Sequence, residues 1–256
     1  MGLEKLKKVT GLPFCVLKDA ISHFGNSEEE FQHFLNTSIT AYADKKRSNL
    51  TRFPVFDAFY SGRQGVVVSL YSETNSEKTR SYLTAIANLL ARSAIAGVPV
   101  EECVDDVLSG AICLLGENVS SRDFYHFEDN DNEVTGIASA YLGKALALVT
   151  LEGCDGASAR HLAGLIAKNA LYYFSDIKEY YKDRTVYDEE EFKSYFIKSL
   201  RYRKLIYPDD LRFRSYQVTH NTTRNFHVVD DLLCEFEKKH HLKNRITITD
   251  FKVFGI

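Results

Sequence analysis

Tryptophan is absent from this 256-residue chain and methionine occurs only at position 1. With those two missing, the 17 phenylalanines and 15 tyrosines must supply the larger anchors of any core. No apolar run reaches the roughly 20 residues that a membrane-crossing helix needs. The most apolar stretch, Ile137 to Leu151, is interrupted by Lys144, which argues against a protein integral to a membrane. Cysteine is scarce and unpaired. Cys15, Cys103, Cys113, Cys154 and Cys234 are odd in number and form no C-x-x-C, so neither a disulfide framework nor a zinc knuckle is expected and all five read as buried thiols. A strong charge of one sign is also missing. The formal net charge of -3, from 32 basic and 35 acidic residues, means that any charged partner must be met by a local patch.

Targeting signals are equally sparse. The basic N-terminus is not followed by an apolar core and a cleavage site, and the position where N-myristoylation reads Ser or Thr holds Leu6. A cytoplasmic protein is expected, and the four Asn-x-Ser/Thr sequons then carry no meaning. What is present is an ordinary globular balance, 45% hydrophobic against 26% charged.

Helical periodicity dominates the pattern. Ser27 and Glu30 have capping-box spacing ahead of Phe31, Phe34, Leu35 and Tyr42, predicting a helix over about 28–46 that ends in Lys45-Lys46-Arg47. Residues 53–71 are ambiguous between strand and helix and read as two short helices around Gly62 and Gly65. Thr74 and Glu77 repeat the capping box before the stripe Tyr82, Leu83, Ile86, Leu89, Leu90, Ala94. Pro99 then opens a second helix carrying Val104, Val107, Leu108, Ala111 and Leu115 up to Gly116. After a polar stretch, 117–132, the segment 137–151 is apolar nearly all round and predicts a central buried helix. Leu162 to Tyr180 completes a second helical hairpin, Asp188 caps another helix, 228–240 is helical, and 245–254 predicts a strand. The fold expected is therefore mainly α: a multi-helix array built from two antiparallel helical hairpins with a small β element near the C-terminus. One domain over 1–256 is expected, with sub-regions 1–75, 76–182 and 183–256.

Two charged patches stand out. Residues 198–224 hold seven basic residues against Asp209 and Asp210, a local net of +5, interleaved with Tyr195, Phe196, Tyr202, Tyr207, Phe213 and Tyr216. Cations neutralise phosphates and ring faces stack on bases, so this segment suits a single-stranded nucleic acid or an acidic protein. Glu128 to Glu133 carries a net of -4. Its alternating oxygens suggest calcium, but Val134 and Ala140 stand where an EF-hand needs Gly and Glu, so it reads as a solvated inter-helix loop. His220, His227, Asp230 and Asp231 have the donor types for a divalent metal and a metal-dependent hydrolase. No G-x-S-x-G, H-E-x-x-H, G-x-G-x-x-G or phosphate loop accompanies them, which weighs against catalysis.

The reading that follows is a cytosolic binding protein that works through a protein partner, as an inhibitor, antidote or adaptor does, without a cofactor. Glu128, Asp129, Asp131, Glu133, Arg201, Arg203, Arg212 and Arg214 are its expected contact residues. Nucleic-acid binding through 198–224 and the hydrolase are its alternatives.

Overall fold

The computed structural model describes residues 3–22, 28–140, 142–182, 188–205 and 228–255. Among the described residues, the chain runs through eight helices and six strands, in the order α1 (Leu3–Thr10), α2 (Phe14–Ser22), α3 (Glu28–Arg47), β1 (Phe53–Ser61), β2 (Gln64–Ser72), α4 (Glu77–Ile95), α5 (Val100–Leu115), β3 (Val119–Glu128), β4 (Glu133–Ala140), β5 (Ala145–Glu152), α6 (Gly156–Lys182), α7 (Glu189–Arg201), α8 (Val229–Lys239) and β6 (Thr247–Phe254). Two three-stranded antiparallel sheets make this a mixed α/β protein, which overturns the expectation of a mainly α hairpin array.

Three segments account for the difference. Residues 53–71 are not two helices but the β1–β2 hairpin, with Ser61 opposite Gln64. Its two-residue turn places Gly62 at φ +62, the positive φ that primed hairpin turns require. Residues 137–151 are not a buried helix but most of the β4–β5 hairpin, in register from Glu133↔Glu152 to Ala140↔Ala145. β5 is the middle strand of its sheet and is buried from Ala145 to Val149, so its apolar run does not alternate. The expected second helical hairpin is thus a ββα arrangement. The polar stretch before it contains β3, and the predicted strand at 245–254 is present as β6.

The chain divides into two compact units, one of residues 1–127 and 141–144, the other of 128–140 and 145–256. In the first, the sheet order is β1-β2-β3, and α4 covers it with Leu83, Ile86, Ala87 and Leu90 against Val55, Val66, Val68 and Leu70. Each buried aliphatic side chain contributes roughly 1.5–3 kcal/mol. The cap of α4 is Ser76, whose side chain accepts from the Thr79 amide, rather than the expected Thr74. A smaller core joins Leu12, between α1 and α2, and Val16 and Leu17 of α2 to Cys113 of α5. Of the expected buried thiols, Cys113 and Cys154 are buried, Cys103 and Cys234 are half-buried and Cys15 is exposed. The Ser27 capping box lies outside the described residues.

In the second unit the order is β4-β5-β6, with α6 laid across it. Helix and sheet approach closely at Gly136, where an added Cβ would stand 2.0 Å from the Gly164 nitrogen. Phe174, Phe192, Phe196 and Phe251 build an aromatic cluster between α6, α7 and β6, with Phe196 and Phe251 stacked at 4.0 Å between centroids.

Candidate functional site

The acidic patch falls on the connection from β3 to β4, not between helices. Glu128 and Asp131 are exposed. Glu133 is half-buried and accepts from Asn130 Nδ2 at 2.6 Å, closing the turn in which Asn132 takes φ +67. Asp129 does not belong to a solvated loop. Its carboxylate is fully buried, with Oδ2 2.8 Å from Nη2 of Arg160, itself only 13% exposed. Oδ1 has no hydrogen-bond partner among the described residues. Asp129 therefore serves the interior of the second unit.

The basic patch is divided. Arg201, at the end of α7, donates from Nε to Asp230 Oδ1 at 2.7 Å, and its Nη2 pairs with the same oxygen. Arg245 reaches Asp230 Oδ2 at 3.5 Å. Arg203 lies over the Tyr173 ring, 5.3 Å from its centroid, and the Tyr173 hydroxyl donates to the Lys204 carbonyl at 2.9 Å. Tyr202 stands 73% exposed beside them. Arg212, Arg214, His220 and His227 lie outside the described residues.

The metal reading loses its remaining donors. Asp230 is held by two arginines, and Asp231 Oδ2 accepts from the Val228 amide at 3.3 Å at the start of α8. Among the described residues no group of three or more His, Cys, Asp or Glu is placed to hold a metal.

Structure brings together a different set in the first unit. Glu117, buried just before β3, accepts from the Thr74 amide at 2.7 Å, Thr74 Oγ1 at 3.0 Å and Thr79 Oγ1 at 2.5 Å. Glu73 accepts from the Asn118 amide at 2.5 Å and from Asn49 Nδ2 at 2.8 Å. These bonds tie the start of α4 and the segment after α3 to the two residues that lead into β3. Beside them opens a cavity of about 610 Å³ between β3, α5 and Arg47. Val104 and Leu108 give it an apolar wall; Asp105, Ser120, Ser121, Arg122 and Asp123 make the remainder polar. Arg47 is anchored by Asp44 at 3.5 Å and Asp105 at 3.4 Å. Nothing in the sequence singles these residues out, because 117–132 is polar overall and reads as a linker, whereas it contains β3.

A second exposed feature is the corner between α1 and α2. Gly11 turns the chain at φ +71, its amide donating to the Lys7 carbonyl at 2.8 Å, and Thr10 Oγ1 accepts from the Leu12 amide at 3.3 Å. Val9 is left 74% exposed, and Phe14 is also open, with Lys7 Nζ 4.4 Å from its ring centroid.

No protein-family model matches the chain. Curated relatives do. The chain is 26% identical over 178 residues to an elongation factor Ts of Variovorax paradoxus, covering 64% of this chain and 57% of that protein. It is 28% identical over 174 residues to an elongation factor Ts of Limosilactobacillus fermentum, covering 64% and 60%, and 28% identical over 176 residues to that of Burkholderia ambifaria, covering 64% and 59%. The chain spans about three-fifths of the length of these relatives. Similarity to translation factors overturns the inhibitor, antidote or adaptor reading together with its nucleic-acid and hydrolase alternatives. No helix among the described residues is long and apolar enough to cross a membrane.

Proposed function

We propose that this chain is a translation elongation factor of the Ts type, acting in the cytoplasm by binding a protein partner, elongation factor Tu. The observation that carries this reading is the match to elongation factor Ts of Variovorax paradoxus, Limosilactobacillus fermentum and Oenococcus oeni over nearly two-thirds of the chain.

For the contact we assign first the corner between α1 and α2. Val9 and Phe14 are open apolar anchors beside Lys7 and Lys8, an apolar centre with a basic rim of the sort interfaces use. Glu128, Asp131 and Arg203, charged residues from the two patches, are assigned to partner contact by the second unit separately. The test is isothermal titration of the full chain against purified bacterial elongation factor Tu, with release of a fluorescent guanine nucleotide from the partner as second readout. Saturable binding is expected, weakened at least tenfold in the Val9→Asp/Phe14→Ala double variant. No heat, and no change in nucleotide release at tens of micromolar chain, overturns the reading.

A further inference from the structure

The two edges of the sheet β1-β2-β3 are treated differently. The β1 edge is closed at Phe56, whose amide donates to the Gly143 carbonyl at 2.8 Å. β3, at the opposite side of the sheet, lines the 610 Å³ cavity. Side chains alternate between the faces of a strand, so a cavity over one face is lined by every second residue. Here seven consecutive residues, Asn118 to Phe124, line it. A cavity met by every residue in turn runs along the strand edge, where the main-chain N–H and C=O groups that β2 does not use emerge.

We propose that this cleft receives an extended, uncharged segment of a partner protein, which adds as a fourth strand beside β3 and directs an aliphatic side chain at Val104 and Leu108. The five residues Ser120 to Phe124 span roughly 16 Å at about 3.3 Å per residue, room for a segment of about four or five residues. Charge selects it further. Arg47 and Arg122 are balanced by Asp105 and Asp123 in the lining, so a segment without net charge is the complementary one. Arg122 is also engaged over the Tyr71 ring, 4.2 Å from its centroid. Charged side chains on an edge discourage indiscriminate strand pairing, which leaves the site to a segment that fits between α5 and β3. A second copy of this chain fits less well, because its own β3 carries an α5 wall that would have to enter the same space. The inference needs only the geometry of the first unit and stands or falls apart from the elongation-factor reading.

The test pans a phage-displayed library of random heptapeptides against the full chain and resynthesises the peptides selected. Peptides of alternating apolar and uncharged polar residues are expected. Backbone N-methylation at every second nitrogen should weaken binding at least tenfold and at the intervening nitrogens less than twofold, since alternate peptide amides face β3. Bound peptide should slow hydrogen exchange at alternate amides within 120–124, and Val104→Glu, on the half-buried wall, should abolish binding with the fold retained. The N-methylation series keeps the test independent of any variant. Failure to select peptides, binding indifferent to N-methylation, or protection of the same amides only as the chain itself is concentrated would each overturn the proposal, the last by naming a second copy as the occupant.

Discussion

Gly136 of β4 lies so close to Gly164 of α6 that a Cβ on Gly136 would sit 2.0 Å from the Gly164 nitrogen and 2.2 Å from the Ala163 carbonyl carbon. Both clashing atoms are backbone, so no rotamer relieves them. The helix can cross the sheet at this distance only because the position lacks a side chain. Gly136→Ala is expected to cost about 3 kcal/mol or more, at the upper end of overpacking effects, as helix and hairpin are forced apart. The reciprocal change differs. A Cβ on Gly164 meets the Ile137 carbonyl at 3.4 Å, the edge of ordinary contact, and alanine gains about 1 kcal/mol of helix propensity. Gly164→Ala should therefore be near neutral. Urea denaturation of both variants checks the pair, and equal losses would contradict the packing argument.

The buried ion pair of Asp129 and Arg160 gives a second asymmetry. Removing one member of a buried pair strands the other charge away from water, at about 3–5 kcal/mol, whereas replacing both with apolar groups is often close to neutral. Asp129→Ala should lie in that range. Asp129→Leu/Arg160→Met should recover most of the loss, and guanidinium melts of the two variants measure the coupling. Glu128→Ala, one residue away but exposed, should change stability by less than about 0.5 kcal/mol.

How much of this was legible in the sequence depended on which face of each element is wet. α4 and α5 show polar faces, so Leu83, Ile86 and Leu90, or Leu108 and Ile112, recur at helical spacing and both helices lie where expected. β2 and β5 are buried on both sides, and Val66 to Leu70 or Ala145 to Val149 carry no alternation to separate strand from helix. The turns do not decide it either: Gly62, with φ +62, lies in Ser61-Gly62-Arg63-Gln64, which fits a break between helices as well as a hairpin, and Gly143, with φ +74, is a single glycine before Lys144 in a largely apolar run. Asp129 resembles its neighbours in composition, and nothing local marks it as the one carboxylate that folds inward to meet a residue 31 positions away. A strand edge belongs to the sheet order, so the cleft beside β3 could not be read before that order was known.

Two thiols impose an alkaline limit. Burial pushes Cys113 up to about 11, with Cys15 adding to it, and pushes Cys154 up to about 11, with Asp155 adding to it. The unfolded chain ionises near 9.0 and the folded chain later, so the folded state holds the extra protons in between and stability is lost as pH rises from 9 to 11. The loss is on the order of 2 kcal/mol per thiol by pH 11. Cys113→Ala/Cys154→Ala should lower stability at pH 7 through lost packing yet flatten its decline above pH 9. At pH 8 a disulfide reagent should modify exposed Cys15 rapidly and these two only as fast as the protein opens.

Asp57 on β1 sets a trend at the acidic end, and in the less familiar direction. Burial raises its carboxyl above the ordinary 3.8, outweighing the lowering by the Ala58 backbone, the Asn88 side chain and the Arg92 charge. A carboxyl that is harder to ionise in the folded state binds its proton more tightly there than in the unfolded chain. Its contribution is therefore favourable at low pH and lost as pH climbs from 3.8 through the higher folded value, so at pH 7 the ionised group is a net cost. Asp57→Asn keeps the shape and a hydrogen-bonding amide while removing the charge. The variant should be more stable than the parent at pH 7, and the gap should close as pH is lowered toward 4. Thermal melts at pH 4, 5.5 and 7 follow the gap directly. A variant less stable at pH 7 would mean that the attraction to Arg92, whose guanidinium lies 4.2 Å from the Phe59 ring centroid, outweighs desolvation at this site.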